Sequence, residues 1–368
     1  MVVLLVGFAA SAALALWIVR WAWAGASFVN DHDLDGPQKF HSRPVPRIGG
    51  LAIVVGVSAA CAALWLTTAP TLGRFLISFV LCGAPAFLAG LAEDLTKRVS
   101  PGRRLGFTAL SAVLAYWTLD AALTHTAIPG LDFIVSYPVG SLLVTAFVVA
   151  GVANAVNIID GFNGLASMCT VMMLVSMAYV AFQVGDPLLG WLALAGVGAV
   201  LGFFVFNFPA GLIFLGDGGA YFLGYYVAEL AILMLYRDPA VSPMFPLLLC
   251  IYPVFETVFS IYRRKWLRGR PVGMPDGAHL HSLIYRRVLR WAAGERTARE
   301  LTRRNSMTSP YLWMLCSMSV VPAVLCYDST PALTGFIALF GLTYLVLYWR
   351  IVRFKAPRWL LIRQPKQP

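Results

Sequence analysis

The sequence predicts an all-α membrane protein, a polytopic helical bundle of about eleven transmembrane helices. Three observations lead to this prediction: a very apolar composition, a series of long apolar segments, and basic residues confined to alternate connections between those segments. Of the 368 residues, 59% are hydrophobic and only 12% are charged. An average soluble domain has about a quarter charged residues. The composition therefore excludes a soluble globular enzyme and a disordered chain.

The six cysteines do not change this assignment. They occur singly within apolar segments, and the chain has no CxxC pair. Isolated cysteines of this kind behave as small core residues rather than as metal ligands or disulfide partners. A disulfide scaffold is therefore excluded as well.

The apolar segments have the length that a membrane crossing requires. A transmembrane helix needs about 20 apolar residues. The candidate segments are residues 2–28, 48–68, 72–92, 105–124, 138–158, 164–184, 187–206, 214–236, 244–262, 310–327 and 331–349. The first is too long for a cleavable signal peptide and has no basic start. Because no internal repeat is visible, we expect one membrane domain over residues 1–368.

The basic residues predict the orientation of the chain. Residues 30–47, 93–104 and 263–309, with the tail from residue 350, contain 25 of the 28 lysines and arginines. Lys and Arg concentrate in cytoplasmic connections, so we expect the N-terminus outside and the C-terminus in the cytoplasm. The net charge of +11 follows largely from this rule, and the basic residues also attract anionic lipid headgroups. The charge therefore does not indicate nucleic-acid binding.

Several acidic residues lie at the predicted cytoplasmic ends of spans, in apolar surroundings. A carboxylate there is costly unless it meets a cation or a hydrogen-bond donor. Glu93 and Asp94 are adjacent and repel each other unless a cation lies between them. Mg²⁺ prefers one or two carboxylates together with substrate phosphates. Mixed charges are also common at span ends, so this pair alone leaves both interpretations open.

A second polar group follows a helical repeat. Asn154, Asn157 and Asp160 recur every third residue, so they lie along one side of a predicted helix, and Asn163 follows in a glycine-containing segment. Asparagines in membrane helices also form hydrogen bonds between helices. That alternative does not explain a carboxylate at Asp160, and we therefore expect a binding function there.

Basic and glycine-rich segments supply further candidates. Lys39 and Arg47 precede Gly49-Gly50. These cations either bind a phosphate or belong to a simple basic loop beside the membrane. Asp217 begins a span between two glycines. The exposed N–H groups there suit a phosphate whose metal Asp217 would bind. Alternatively, Asp217 is a simple helix cap.

Two histidines complete the set of candidates. His279 and His281 lie in the large basic loop, where they bind a metal or donate hydrogen bonds to phosphate. Two histidines with no third ligand nearby form a poor zinc site.

In this order the motifs resemble those of the polyprenyl-phosphate N-acetylhexosamine-1-phosphate transferase superfamily. The matching segments are PRIGG at 46–50, EDLTK at 93–97, NAVNIIDGFNG at 154–164, GDGGAYFLG at 216–224 and HLHS at 279–282. The resemblance implies Mg²⁺-dependent transfer of a sugar 1-phosphate from a UDP-sugar to undecaprenyl phosphate, with release of UMP. Mn²⁺ is the alternative ion. The resemblance also implies a bacterial inner-membrane protein with a cytoplasmic active site, and a homodimer is common in the superfamily.

The resemblance assigns a role to each candidate residue. Asp94 orients or deprotonates the lipid phosphate beside Glu93, and Asp217 binds the metal, with Asp160 as a second ligand. His279 and His281 hold the diphosphate. The remaining residues are assigned to substrate binding: Asn154, Asn157, Asp160, Asn163, Asn207, Lys39 and Arg47.

Three departures from the family pattern bear on specificity. Glu93 and Asn163 stand where the family has Asp, and Ser282 stands where the third histidine is found. They favour the branch that starts a lipid-linked surface polysaccharide or O-antigen, with UDP-N-acetylglucosamine as the expected UDP-N-acetylhexosamine donor. The alternatives are a phospho-N-acetylmuramoyl-pentapeptide transferase of peptidoglycan synthesis and a secondary transporter. Transporters usually have acidic residues near the midplane and repeated halves.

Overall fold

The structure is a computed structural model that describes residues 1–23, 30–31, 45–68, 70–267, 269, 276–289 and 297–353. The described residues are mainly helical. The helices are α1 (Val2–Trp23), α2 (Gly49–Thr68), α3 (Gly73–Cys82), α4 (Ala84–Thr96), α5 (Pro101–Thr118), α6 (Pro129–Val135), α7 (Pro138–Ile159), α8 (Leu165–Val184), α9 (Pro187–Asn207), α10 (Gly216–Arg237), α11 (Met244–Leu249), α12 (Ile251–Tyr262), α13 (Leu280–Leu283), α14 (Ala298–Leu325) and α15 (Thr330–Val352). The two short strands β1 (Asn30–Asp31) and β2 (Val45–Pro46) pair antiparallel.

Nine helical segments in the described part of the chain are long and apolar enough to cross a membrane. They correspond to nine of the predicted spans, with α3 and α4 forming one continuous span, Gly73–Thr96. The all-α, multi-pass fold class is therefore confirmed.

Two predicted spans differ from the structure. The predicted span at 105–124 is α5, which begins with the Pro101 turn and ends at Thr118, before a non-helical connection. The predicted span at 244–262 is divided at Cys250 into α11 and α12. Proline has no N–H and its ring clashes with the carbonyl four residues earlier. Pro253 therefore interrupts the helix at Leu249, a break that apolar content does not reveal.

The predicted basic loop at 263–309 is partly helical. Residues 263–267 continue α12 as a π-helical turn, and α13 also continues as a π-helical turn to Val288. α14 begins at Ala298 rather than near residue 310, because Thr297 and Glu300 form a capping box that satisfies the first backbone N–H groups. Its polar residues Asn305, Ser306, Thr308 and Ser309 are buried, so this part of the predicted loop lies against the core.

α10 is the centre of the bundle. It is buried almost along its whole length and packs against α2, α4 and α7. Small residues permit this close packing. A Cβ on Gly224 would lie 2.2 Å from Ala153 Cα, and one on Gly50 would lie 2.3 Å from Gly219 Cα. The start of α10 therefore lies directly against α2.

The segment before α2 is fastened to the segment before α10 by backbone hydrogen bonds. Gly49 N–H donates to Phe214 O and Gly50 N–H donates to Leu215 O, each at 2.9 Å. Phe214 N–H donates to Pro46 O at 2.9 Å. This pairing brings Arg47 to the N-terminus of α10.

We predict that Arg98 and His125 face opposite sides of the membrane. Both are exposed, one precedes α5 and the other follows it, and the basic-residue distribution predicts that residues 93–104 are cytoplasmic. In cells, a His125→Cys protein should react with a membrane-impermeant maleimide, whereas an Arg98→Cys protein should react only after permeabilisation.

The background for this measurement requires one replacement. Five of the six native cysteines are buried, and only Cys326 is partly exposed, so Cys326→Ser is introduced first. The reverse labelling pattern would overturn the predicted orientation.

Candidate active site

A pocket of about 350 Å³ opens where the ends of α7 and α9 and the start of α10 meet the segment around α13. Most of the residues predicted from the sequence lie around it. Its polar lining includes Arg47, Arg104, Asn157, Asp160, Asn163, Asn207, Asp217, His279, His281, Ser282 and Asn305.

Asp94 caps the N-terminus of α10 from the end of α4. Its Oδ1 accepts from Asp217 N–H at 3.0 Å and its Oδ2 accepts from Gly218 N–H at 2.9 Å. The first N–H groups of a helix have no partner within the helix and carry partial positive charge, so a carboxylate there is stabilising. The Asp94 side chain is only 2% exposed. In this geometry its carboxylate holds the two helix ends together.

Two arginines surround Asp217. Arg104 from α5 forms an ion pair with Asp217 Oδ2, while Asn157 Nδ2 donates to Asp217 Oδ1 at 3.0 Å. Arg47 Nη2 lies 3.7 Å from Asp217 Oδ1, and its Nε lies 3.7 Å from Asp94 Oδ1. The two carboxylates are therefore balanced by two guanidinium groups.

Asp160 is the carboxylate that lines the pocket without such partners. It follows the last residue of α7, is half-buried, and accepts no hydrogen bond from the described residues. Burial raises the pKa of Asp160 to about 7; the charge of Arg47 opposes this rise and the charge of Asp94 adds to it. A cation at Asp160 would remove the cost of burying its charge.

The two predicted histidines stack beside this carboxylate region. The rings of His279 and His281 are 5.2 Å apart and nearly parallel. Burial, together with the charge of His279, lowers the pKa of His281 to about 3, so His281 is neutral near pH 7. Its Nδ1 and the hydroxyl of Ser282 are buried without a hydrogen-bond partner among the residues that the structure describes. Both groups line the pocket and are free to bond a ligand.

Of the predicted residues that the structure describes, Asp94, Glu93 and Asn154 are not part of the pocket lining. Glu93 accepts from Val99 N–H at 2.6 Å and thereby closes the turn between α4 and α5. Asn154 accepts from the hydroxyl of Tyr221 at 3.3 Å. Lys39 lies outside the described residues.

Asn163 and Asn207 are buried in the pocket wall. Asn207 Oδ1 accepts from Gly164 N–H at 2.6 Å, and its Nδ2 donates to Ile213 O at 2.7 Å. Asn163 Nδ2 donates to Ser306 Oγ at 3.2 Å. These amides connect the end of α9, the start of α8 and α14, so their visible contacts shape the wall.

Sequence reasoning missed three residues that shape the site. In the sequence Arg104 is only one of the basic residues of a predicted cytoplasmic connection, and neither Glu256 nor Asn305 belongs to a motif. Asn305 Oδ1 accepts from Asn163 N–H at 2.9 Å. Only Glu256 has a usable signal in the sequence, because a carboxylate within a predicted span requires a polar partner.

The carboxylates fit a magnesium ion better than a zinc ion. Among the described residues there is no group of three or more His, Cys, Asp or Glu side chains gathered to hold a metal. Mg²⁺ needs only one or two protein carboxylates when substrate phosphates supply the rest, whereas structural zinc needs four protein ligands. Asp160 and Asp217, which line the same pocket, meet the first requirement.

Comparison with known proteins gives consistent matches. A sequence profile of the family described as Glycosyl transferase family 4 matches residues 76–235. The chain is 32% identical over 263 residues to the "Probable undecaprenyl-phosphate N-acetylglucosaminyl 1-phosphate transferase" of Bacillus subtilis (strain 168), which covers 68% of each chain. It is 29% identical over 260 residues to the undecaprenyl-phosphate alpha-N-acetylglucosaminyl 1-phosphate transferase of Thermotoga maritima, covering 70% of this chain and 75% of the relative.

A relative with a different donor matches over a shorter stretch. The phospho-N-acetylmuramoyl-pentapeptide-transferase of Anoxybacillus flavithermus is 31% identical over 214 residues, covering 54% of this chain and 64% of the relative. Together these matches confirm the resemblance that the motifs indicate.

We predict that Gly90→Ala lowers the thermal unfolding midpoint of the purified protein. A Cβ on Gly90 would lie 2.5 Å from Gly218 N, directly at the contact between α4 and the N-terminus of α10. Overpacking of this kind costs about 1–3 kcal/mol. The control is Gly106→Ala on α5, where a Cβ meets no atom within 4 Å. That variant should gain up to about 1 kcal/mol of helix stability. Equal midpoints for the two variants would contradict the packing described.

Proposed function

The chain belongs to glycosyl transferase family 4 and is a polyprenyl-phosphate sugar-1-phosphate transferase of the membrane; we propose that its donor is UDP-N-acetylglucosamine and its acceptor undecaprenyl phosphate. The observation that carries this proposal is the pocket at the end of the bundle, where Arg47, Arg104 and the capped start of α10 surround two carboxylates. This arrangement suits a substrate with two linked phosphates, because guanidinium groups bind phosphate.

The proposed reaction is a phosphoryl transfer. An oxygen of the lipid phosphate attacks the phosphorus that carries the sugar, and a new P–O–P linkage forms. The bond between that phosphorus and the bridging oxygen breaks, and UMP leaves with the bond's electron pair. Such a reaction depends on positioning and on neutralising charge more than on covalent help from the protein.

The arginines supply most of the neutralisation in this proposal. Arg47 and Arg104 both line the pocket, and each side chain is partly exposed to it. Ser282 and the neutral His281 add uncharged polar side chains to the lining. We assign to Asn157 the task of orienting Asp217 through its 3.0 Å hydrogen bond.

Asp94 acts in this proposal by orientation rather than as a base. Both of its carboxylate oxygens accept backbone hydrogen bonds, and the side chain is 2% exposed. A general base must come within hydrogen-bond reach of the proton that it takes. The geometry therefore favours a role in which Asp94 keeps the N-terminus of α10 and Arg47 in place for the lipid phosphate.

We assign the metal to Asp217 and Asp160. When bound there, Mg²⁺ or Mn²⁺ supplies positive charge to the diphosphate and lowers the barrier to UMP departure. Asp160 supports this assignment because it accepts no hydrogen bond from the part of the chain that the structure describes. Glu93 and Asn154 are assigned to holding helices rather than substrate, from their contacts with Val99 and Tyr221.

The lengths of the matches favour N-acetylglucosamine over a muramoyl pentapeptide. The N-acetylglucosamine-named relatives match over 68–70% of the chain, and the pentapeptide-named relative over 54%. We therefore propose a role in starting a lipid-linked surface polysaccharide, with the pocket facing the cytoplasm of a bacterial inner membrane. A transporter is not supported, because the acidic residues of the site gather at one end of the bundle.

A donor panel tests this proposal. Purified full-length protein is mixed with undecaprenyl phosphate, Mg²⁺ and, in turn, UDP-N-acetylglucosamine, UDP-N-acetylgalactosamine or UDP-N-acetylmuramoyl-pentapeptide, and UMP release is measured. We expect release with UDP-N-acetylglucosamine and none when the lipid phosphate is omitted. Release with the pentapeptide donor alone would establish the alternative, and no release with any donor would refute the proposed activity.

We predict that Asp217→Asn slows UMP release by about a thousandfold. Asparagine keeps the size of the side chain but removes the charge that binds the metal, and a loss of about 4 kcal/mol corresponds to nearly that factor. The control is Asp132→Asn, on α6, whose carboxylate accepts from Thr126 outside the pocket. Turnover is measured against Mg²⁺ concentration for both variants. Wild-type turnover of Asp217→Asn with unchanged Mg²⁺ dependence would show that Asp217 does not bind the metal.

A further inference from the structure

We propose that Glu256 is a positioning residue for the transfer reaction, which acts by orienting the imidazole of His279 and is itself held by Tyr344 of α15. This inference rests on the proposed function, because His279 lines the pocket to which that function is assigned. It extends the site to α15, well beyond the segment 76–235 matched by the family profile.

Glu256 lies on α12 and is 1% exposed. Its Oε1 is 2.9 Å from His279 Nδ1, and Leu280 N–H donates to the same oxygen at 3.2 Å. The hydroxyl of Tyr344 donates to Oε2 at 2.8 Å. A buried carboxylate without donors is strongly destabilising, and three donors from two other elements resolve that cost here.

The contact with Glu256 determines which nitrogen of His279 bears the hydrogen. A carboxylate oxygen accepts only, so Nδ1 must carry the proton in a 2.9 Å contact. Carboxylate partners of this kind fix the tautomer and the ring orientation of a histidine. Nε2 is then the nitrogen left for other partners.

A second carboxylate lies on the Nε2 side of the His279 ring. Asp276 Oδ2 lies 3.9 Å from Nε2, and Asp276 is itself paired with Arg263 and approached by Ser260 Oγ at 3.4 Å. His281 stacks on the ring and is neutral. Two carboxylates therefore face the ring, Glu256 from α12 and Asp276 from the segment before α13, and together they fix its orientation toward the pocket.

A purely structural role for Glu256 does not require all three of its contacts. Capping α13 needs only the bond from Leu280 N–H, and a neutral acceptor serves that purpose. The contact with His279 places the carboxylate charge of Glu256 beside the ring, and the hydrogen bond from Tyr344 holds that carboxylate in place. The two roles therefore make different predictions for a neutral replacement.

The first experiment is a double-mutant cycle on UMP release by the full-length protein. We expect Glu256→Gln to lower kcat by about 10- to 100-fold, the usual loss when the carboxylate partner of a functional histidine is removed. In a His279→Asn background, Glu256→Gln should lower kcat by less than about twofold, because the residue through which it acts is absent. The same factor in both backgrounds would overturn the proposal.

Tyr344→Phe and Tyr252→Phe form a matched pair. Each removes one buried hydroxyl, but that of Tyr344 donates to Glu256, whereas that of Tyr252, on α12, has no hydrogen-bond partner among the described residues. We expect Tyr344→Phe to lower kcat about three- to tenfold by loosening the carboxylate, and Tyr252→Phe to leave it unchanged. Equal effects of the two variants would contradict the role of Tyr344.

A spectroscopic measurement separates this inference from the proposed function. Protein labelled with ¹⁵N-histidine should show a far-downfield Nδ1–H proton bonded to a carboxylate. It should be lost in His279→Asn and in Glu256→Gln, and retained in Tyr252→Phe. If the wild-type protein releases no UMP from any donor, the proposed function fails while this signal still tests the contact. Absence of the signal in an active wild-type protein would refute the inference alone.

Discussion

The site depends on one hydrogen-bonded contact, the carboxylate of Asp94 at the N-terminus of α10. A charged group buried at the end of a membrane bundle is stable only where donors are already in place, and the exposed N–H groups of a helix start provide them. The contact requires α4 and α10 to approach at their glycines, Gly90 and Gly218. Asp217, the next residue in the pocket, is positioned as a consequence.

Charge balance explains why so many ionic groups coexist in this apolar bundle. Arg47 and Arg104 neutralise Asp94 and Asp217, and the four groups lie on α4, α5, the start of α10 and the segment before α2. Asp160 is left outside this balance. The proposed diphosphate and its proposed metal would bring both signs of charge, and would engage the arginines and Asp160 together without leaving either unpaired.

The helices after the matched segment 76–235 complete the pocket from the other side. Asn305 and Ser306 on α14 bond Asn163 and hold the pocket wall in place. Tyr344 on α15 bonds Glu256, which in turn contacts His279. The family-typical carboxylates and the histidines are thus supported by different parts of the chain. The residues that support the histidines, Glu256 and Tyr344, belong to no recognisable motif.

The sequence by itself determined the fold class, most of the spans and the residue types of the site, because apolar length and local motifs are properties of contiguous residues. It did not reveal the break at Cys250, which depends on the proline three residues later, or the early start of α14 at its capping box. Only the tertiary structure decided that Glu93 closes a turn while Asp94 caps α10, and that Arg104 pairs with Asp217. The contacts of Asp94 and Arg104 with the start of α10 depend on which helix ends meet, and contacts between residues more than a hundred positions apart leave no periodic signal in the chain.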